Sequence, residues 1–183
     1  MDKNHGIEKR SPTEQGFTDL INQSENGSTR QSILDFEALL AQSEGATFGD
    51  STNLPLTHRF SDGLYIREMV IPAGTVLTGK IHKHDHPNFL MSGEILVVTE
   101  DKGKQHLKGP LIIISPAGTK RIGFAITDVT WVTVHLNPTN TEDLEKLEKI
   151  VIAENFDKYN KFRESGKGLV GRFKKFLIKK ILT

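Results

Sequence analysis

Seven histidines occur in this chain of 183 residues, and three of them fall within five positions, at His82, His84 and His86. A neutral imidazole offers a lone pair to a divalent ion near pH 7. In an extended strand, residues two apart point the same way, so His82 and His84 are expected on one face. His86 continues the alternation up to Pro87, where a turn is expected. Two imidazoles on one face can chelate a metal. The chain has no cysteine. That excludes disulfides, thiolate nucleophiles, Fe–S clusters and cysteine-based zinc sites. A bound metal would therefore rest on His, carboxylate or carbonyl groups. No Ser-His-Asp arrangement is apparent.

The elements that must position these side chains can be read from periodicity. Residues 1–30 hold too few large apolar groups to offset ordering entropy and are expected to be disordered. Residues 31–55 form a short helix and a linker. Ser32 with Asp35 makes a helix-start box, Ile33, Phe36, Leu39 and Leu40 recur at helical spacing, and Gly45 can stop the helix. Residues 56–138 form a β domain. Strands are expected at Leu64–Ile71, Val76–His82, Asn88–Met91 and Glu94–Thr99, with turns at Pro72-Ala73-Gly74 and Ser92-Gly93. A hairpin tip is expected at Lys102-Gly103-Lys104. The run Leu111–Ile114 is wholly apolar and is expected to be buried on both faces. Arg121–Ile126 and Thr130–Leu136 are expected to pair as a last hairpin. Many short strands with Gly/Pro turns point to a sandwich or small barrel. Residues 139–160 carry an amphipathic helix over Thr141–Asn155, capped from Asn140 or Thr139, with Leu144, Leu147, Ile150 and Val151 on its apolar face.

The formal net charge of +1 conceals an uneven distribution. Residues 1–55 carry −5, residues 56–160 carry −1, and residues 161–183 carry +7. The last segment is a basic amphipathic tail helix. Arg172, Lys174, Lys175, Lys179 and Lys180 face away from Phe173, Phe176, Leu177 and Ile181. Three uses fit such a helix: packing on a partner or a second copy, lying on an anionic membrane surface, or holding phosphates by charge alone. Its bulky apolar face argues against specific nucleic-acid binding. No apolar run approaches the ~18 residues needed to span a bilayer, and Met1–Arg10 carries no signal-peptide stretch.

Two blocks carry a resemblance. Gly79-Lys-Ile-His82-Lys-His84-Asp-His86-Pro-Asn-Phe-Leu-Met-Ser-Gly93-Glu94 resembles the first cupin motif. Gly109-Pro-Leu-Ile-Ile-Ile-Ser-Pro116-Ala-Gly118-Thr-Lys-Arg121 resembles the second. Parts of both also resemble cupin-domain proteins of tailed bacteriophages. The resemblance implies a mainly β fold. This would be a single cupin-type jelly-roll barrel with a short N-terminal helix, two C-terminal helices and a disordered N-terminal arm. It also implies a site in the barrel mouth and a homodimer. Two positions depart from the pattern: His86 stands where the first motif has Glu, and Arg121 where the second has His. Only His82 and His84 match motif ligands directly; His86 or His135 would complete a set for Fe, Mn, Ni or Zn. Arg121 stays charged and cannot ligate a metal, but it can hold an anionic ligand. Arg67, if it points into the barrel, needs the same kind of partner.

These readings give three functions: a metal-binding barrel that binds or converts a small molecule, with an anionic one as one option; a non-catalytic virion or host-interaction module docked through its charged ends; or a ligand-binding sensor or sequestering protein using the barrel cavity. The expected place is the (host) cytoplasm, a virion, or the periphery of a membrane.

Overall fold

The computed structural model describes residues 16–19, 21–22, 30–44, 46 and 54–165. Eleven strands and three labelled helices follow in chain order: α1 (Arg30–Ala41), β1 (Leu56–Ser61), β2 (Leu64–Ile71), β3 (Val76–Thr78), β4 (Ile81–His82), β5 (His86–Ser92), β6 (Glu94–Thr99), β7 (Gly103–Lys108), β8 (Leu111–Ser115), β9 (Arg121–Ala125), β10 (Val129–Leu136), α2 (Leu144–Val151), β11 (Ile152–Ala153) and α3 (Phe156–Glu164). The fold is mainly β, and all its strand pairs are antiparallel. One sheet has the order β1-β2-β10-β5-β8 and the other β3-β9-β6-β7, with β11-β4 as a small third sheet.

The two larger sheets enclose the core as a jelly roll. Alternation along each strand sends every second residue inward. The inward residues of β10 are Val129, Trp131, Thr133 and His135. Across the register they meet Ile71, Met69, Arg67 and Tyr65 of β2. On the other side Leu90, Asn88 and His86 of β5 continue these rows to Leu111, Ile113 and Ser115 of β8. The barrel is thus apolar at one end, around Ile71, Leu90, Val129 and Trp131. It becomes polar row by row towards His86 and His135.

Four expectations are corrected. Arg121–Ile126 and Thr130–Leu136 do not pair, because β9 and β10 belong to different sheets. The chain crosses between sheets there, and again at Ser92-Gly93. The stretch Val76–His82 is broken at Gly79-Lys80 into β3 and β4. Leu111–Ile114 is not buried on both faces: β8 is an edge strand, with Ile112 66% and Ile114 59% exposed. The expected helix Thr141–Asn155 begins only at Leu144, capped by the Asp143 carboxylate on Lys146 N, and ends at Val151. Ile152 and Ala153 then pair with His82 and Ile81, and Asn155 caps α3. β-branched Val151 and Ile152 suit that extended exit.

A small part of the arm expected to be disordered is described and has structure. Residues 16–19 and 21–22 are helical, and the Phe17 ring lies 6.0 Å from Phe36 and 5.3 Å from Phe124. Ile33 and Phe36 of α1 are buried against Val98 and Ile122, on the outer face of the four-stranded sheet. Arg30 fixes the start of α1 through a bidentate contact with Glu100, both distances 2.8 Å, and its guanidinium lies 3.8 Å from the Phe156 ring centre. The expectations for residues 1–15, residue 20, residues 23–29, Gly45, residues 47–53 and residues 166–183 lie outside the described residues.

Candidate functional site

The polar end of the barrel gathers three histidines, but not the three nearest in sequence. His82, His86 and His135 have ring centres 4.1 Å, 4.9 Å and 5.0 Å apart in pairs. His84 is turned away, its ring 5.3 Å from Phe162 of α3 in an edge contact. The physical reason is that β4 ends at His82. Lys83 and His84 form a bend before β5 starts at His86, so strand alternation does not carry from His82 to His84. His86 is not at a turn; it opens β5 and is 4% exposed. His135 enters from the last inward position of β10, beside Tyr65.

His86 is held in a defined tautomer. Its Nδ1–H donates to the backbone carbonyl of His84 at 3.1 Å. The lone pair therefore sits on Nε2, which is buried without a hydrogen-bond partner. An orphaned buried acceptor is unusual and asks for an explanation. A backbone carbonyl on one ring nitrogen is also how metal-binding imidazoles are oriented. The His82 and His135 rings stack nearly parallel, at 9°. As the side chains stand, no group of three His, Asp or Glu among the described residues forms a metal cage.

Two guanidiniums lie near enough to this cluster to act on its charge. Arg121 Nη2 donates to Ser115 Oγ at 2.6 Å, and its guanidinium carbon lies 5.8 Å from the Trp131 ring centre. The Arg121 stem crosses Gly79 so closely that a Cβ there would lie 2.9 Å from its Cγ. Burial pulls Arg121 down to about 10. Arg67 reaches inward from β2; its Nη2 touches Met69 Sδ at 3.8 Å and its Nε is buried without a partner. Among the described residues neither arginine takes part in an ion pair. Half-buried guanidiniums without an acidic partner favour an anionic ligand.

The chamber opens into a cavity of about 120 Å³. Tyr65, Arg67, His82 and His135 line its barrel side, and Leu144, Leu147 and Val151 of α2 line the other. α2 therefore covers the barrel mouth, tied down by Lys80 to Glu148 and by Lys83 Nζ to the Lys149 carbonyl. Several contributors were not singled out from sequence. Tyr65 Oη lies 2.7 Å from His58 Nδ1, a route for a proton between the cavity and a half-buried imidazole. Asn88 accepts from Trp131 Nε1 at 3.0 Å and donates to Ser115 Oγ at 2.8 Å, which fixes the floor of the chamber. Alternation could have found both: Tyr65 shares a face with Arg67, and Asn88 with His86.

Electrostatics set a pH dependence. Burial, then the neighbouring His86, His135, Arg121 and Arg67, holds His82 well below the ordinary 6.5. His86 is pushed down to about 4, chiefly by burial, with Arg121 lowering it and the His84 carbonyl and Asp85 opposing. His135 falls to about 3 through burial, His86, Arg67 and Arg121. All three are neutral in the folded chain, and the unfolded chain binds their protons more readily. Stability is therefore fully present above about pH 6.5 and is lost as pH falls towards these lower values. Urea unfolding at pH 7 and pH 5 is expected to differ by on the order of 2 kcal/mol for each fully buried histidine. An unchanged midpoint would contradict neutral burial.

No family model and no curated relative matches the chain. Solved structures similar to it include a cupin superfamily protein from Desulfitobacterium hafniense (14% identity, 50% of this chain and 84% of that chain, TM-score 0.41). They also include ectoine synthase from P. lautus (15% identity, 55% and 75%, TM-score 0.46). A third is a salicylate 1,2-dioxygenase from Pseudaminobacter salicylatoxidans (15% identity, 63% and 34%, TM-score 0.45).

Proposed function

We propose that this chain is a cupin whose barrel binds a divalent ion on His82, His86 and His135 and a small carboxylate or phosphate on Arg67 and Arg121. The observation that carries this reading is the His86 imidazole: Nδ1–H on a backbone carbonyl, Nε2 buried and unpartnered, and two further neutral imidazoles beside it. The donor set fits Zn, Fe(II), Ni or Mn. Loading requires the stacked His82 and His135 rings to turn about their own side-chain bonds. Two nearby guanidiniums repel a bare dication, so the anion and the metal support each other's binding. When bound, such an ion polarises a ligand or activates water. Tyr65, hydrogen-bonded to His58, is placed to exchange a proton with the bound molecule.

The ring stacking favours a second reading, a metal-free anion pocket built from Arg67, Arg121 and the imidazoles. Calorimetry with acetate, oxalate and inorganic phosphate distinguishes the two. On the proposal, at least one of these anions binds the Zn(II)-loaded chain about tenfold or more tighter than the chelated chain, and Arg67→Met removes about tenfold or more. Equal affinity with and without Zn(II) would support the metal-free pocket. Absence of heat with all three anions in both states would overturn both. Nothing in the described residues bears on a virion or host-docking role. The segment that suggested it, with Arg172, Phe173, Lys174, Lys175, Phe176, Lys179 and Lys180, lies outside the described residues.

No helix among the described residues is long and apolar enough to cross a membrane.

A further inference from the structure

α2 gives the cavity a wall that the strands alone do not supply. Leu144, Leu147 and Val151 stand at i, i+3 and i+7 of that helix, so they share one face, and that face lines the cavity. Leu147 is 1% exposed and Val151 7%. The wall is held in place by the β4–β11 pairing and by the contact of Lys83 with the Lys149 carbonyl. The charges of the lining are few. Arg67 and Lys80 are its cations, and Glu148 is the one acid among its described residues. Lys80 donates to Glu148, so those two charges cancel. Arg67 keeps its charge unmatched, with Nε buried and without a hydrogen-bond partner. The cavity therefore sets one unmatched guanidinium against an apolar helix face.

Given the anion site proposed above, on which this depends, we infer that the cavity selects a short aliphatic monocarboxylate. Its carboxylate sits on Arg67 and its hydrocarbon tail lies against Leu144, Leu147 and Val151. One unmatched guanidinium balances one negative charge, and its planar fork suits the two oxygens of a carboxylate. Arg121 does not line this cavity and is held on Ser115 Oγ. A dicarboxylate would bring a second charge against the apolar wall. A phosphate would lose water from oxygens that find no donor there. Volume sets the length of the tail. An apolar cavity of about 150 Å³ takes a six-carbon ring, so about 120 Å³ holds about five non-hydrogen atoms. Leu144 is 40% exposed and marks where the cavity meets solvent. An acid of about four or five carbons fills this space, and a longer chain runs out into water.

Calorimetry of the full chain with acetate, butanoate, pentanoate and heptanoate tests it, in whichever state, Zn(II)-loaded or chelated, binds acetate more tightly. A buried methylene is worth about fourfold in affinity, so butanoate is expected to bind about tenfold or more tighter than acetate. Pentanoate is expected to bind tighter still, and heptanoate to stay within about twofold of pentanoate. Leu144→Ser and Val151→Thr place a hydroxyl in the wall. Each is expected to hold acetate within about twofold of wild type and to cut the pentanoate-to-acetate ratio by about fivefold or more. The acetate affinity reports that the variant is folded; if one variant loses it, the other is read. Acetate, butanoate and pentanoate within about threefold of one another overturn the inference and leave the anion site standing. A pentanoate-to-acetate ratio that no folded variant lowers overturns it too, as does a gain that continues undiminished to heptanoate. Absence of heat with acetate, oxalate and phosphate in both states is instead the failure of the anion site itself, and this inference falls with it.

Discussion

His86→Ala is expected to lower the affinity of the chain for Zn(II) or Mn(II) by at least about 100-fold, while His84→Ala changes it by less than about threefold. Groups that merely orient a metal ligand are worth roughly 10–100-fold, so the loss of a ligand starts at the top of that range. The asymmetry between two residues only two apart is the point of the comparison. His86 sits 4% exposed, with ring centres of His82 and His135 at 4.1 Å and 5.0 Å. His84 contributes its backbone carbonyl, not its ring, to that cluster, and the ring rests on Phe162. Alanine at position 84 keeps the carbonyl and so keeps the His86 tautomer. Titration of each purified variant with metal measures both numbers. Equal losses at 84 and 86 would return the site to the strand-alternation reading.

The second large effect concerns the fold. Gly93→Ala is expected to destabilise the chain by about 3–5 kcal/mol in urea unfolding, the range of the most disruptive substitutions. Gly93 has φ +88, a left-handed conformation that disfavours a Cβ by about 1–2 kcal/mol. The larger part is steric: a Cβ there would lie 2.2 Å from the Asp128 carbonyl oxygen and 2.9 Å from Val129 Cγ2. This is where the two sheet crossings touch. Ile126 N donates to Glu94 O at 2.8 Å, and Glu94 N donates to Thr127 Oγ1 at 2.9 Å. Separating them strains β6 and β10 together. Gly74 provides the internal comparison. Its φ is +80, but a Cβ there meets nothing within 4 Å, so Gly74→Ala keeps only the conformational penalty. A Gly93→Ala chain within about 0.5 kcal/mol of wild type, the usual range for surface substitutions, would contradict this picture of the crossing.

Local signals were legible where a residue's neighbours in sequence set its conformation. Alternation placed β2 at Leu64–Ile71 and β6 at Glu94–Thr99, and glycines with positive φ stand in the turns at Gly74 and Gly93. Helical spacing found Ile33 and Phe36 as the buried stripe of α1. What sequence could not reveal is which sheet a strand joins. β9 and β10 read as a hairpin because a short polar link separates them, yet each pairs with strands distant in sequence. The same limit hid the site. His135 lies 49 positions beyond His86, and only the β10–β5 and β10–β2 registers bring them together. Within the His cluster, alternation failed because a bend replaces the strand at Lys83-His84. Apolar Ile112 and Ile114 read as core, yet they stand on the outward, exposed face of an edge strand, a placement that composition does not encode.

The central claim is that the chamber at the polar end of the barrel is a metal site made by His82, His86 and His135. Metal analysis after equilibrium dialysis of the untagged full chain tests it most directly. Wild type and His84→Ala are predicted to hold about one ion per chain, the stoichiometry of a single site, and His82→Ala, His86→Ala and His135→Ala to hold almost none at the same free-metal concentration. Wild type that stays empty, or His135→Ala that remains fully loaded, would contradict it.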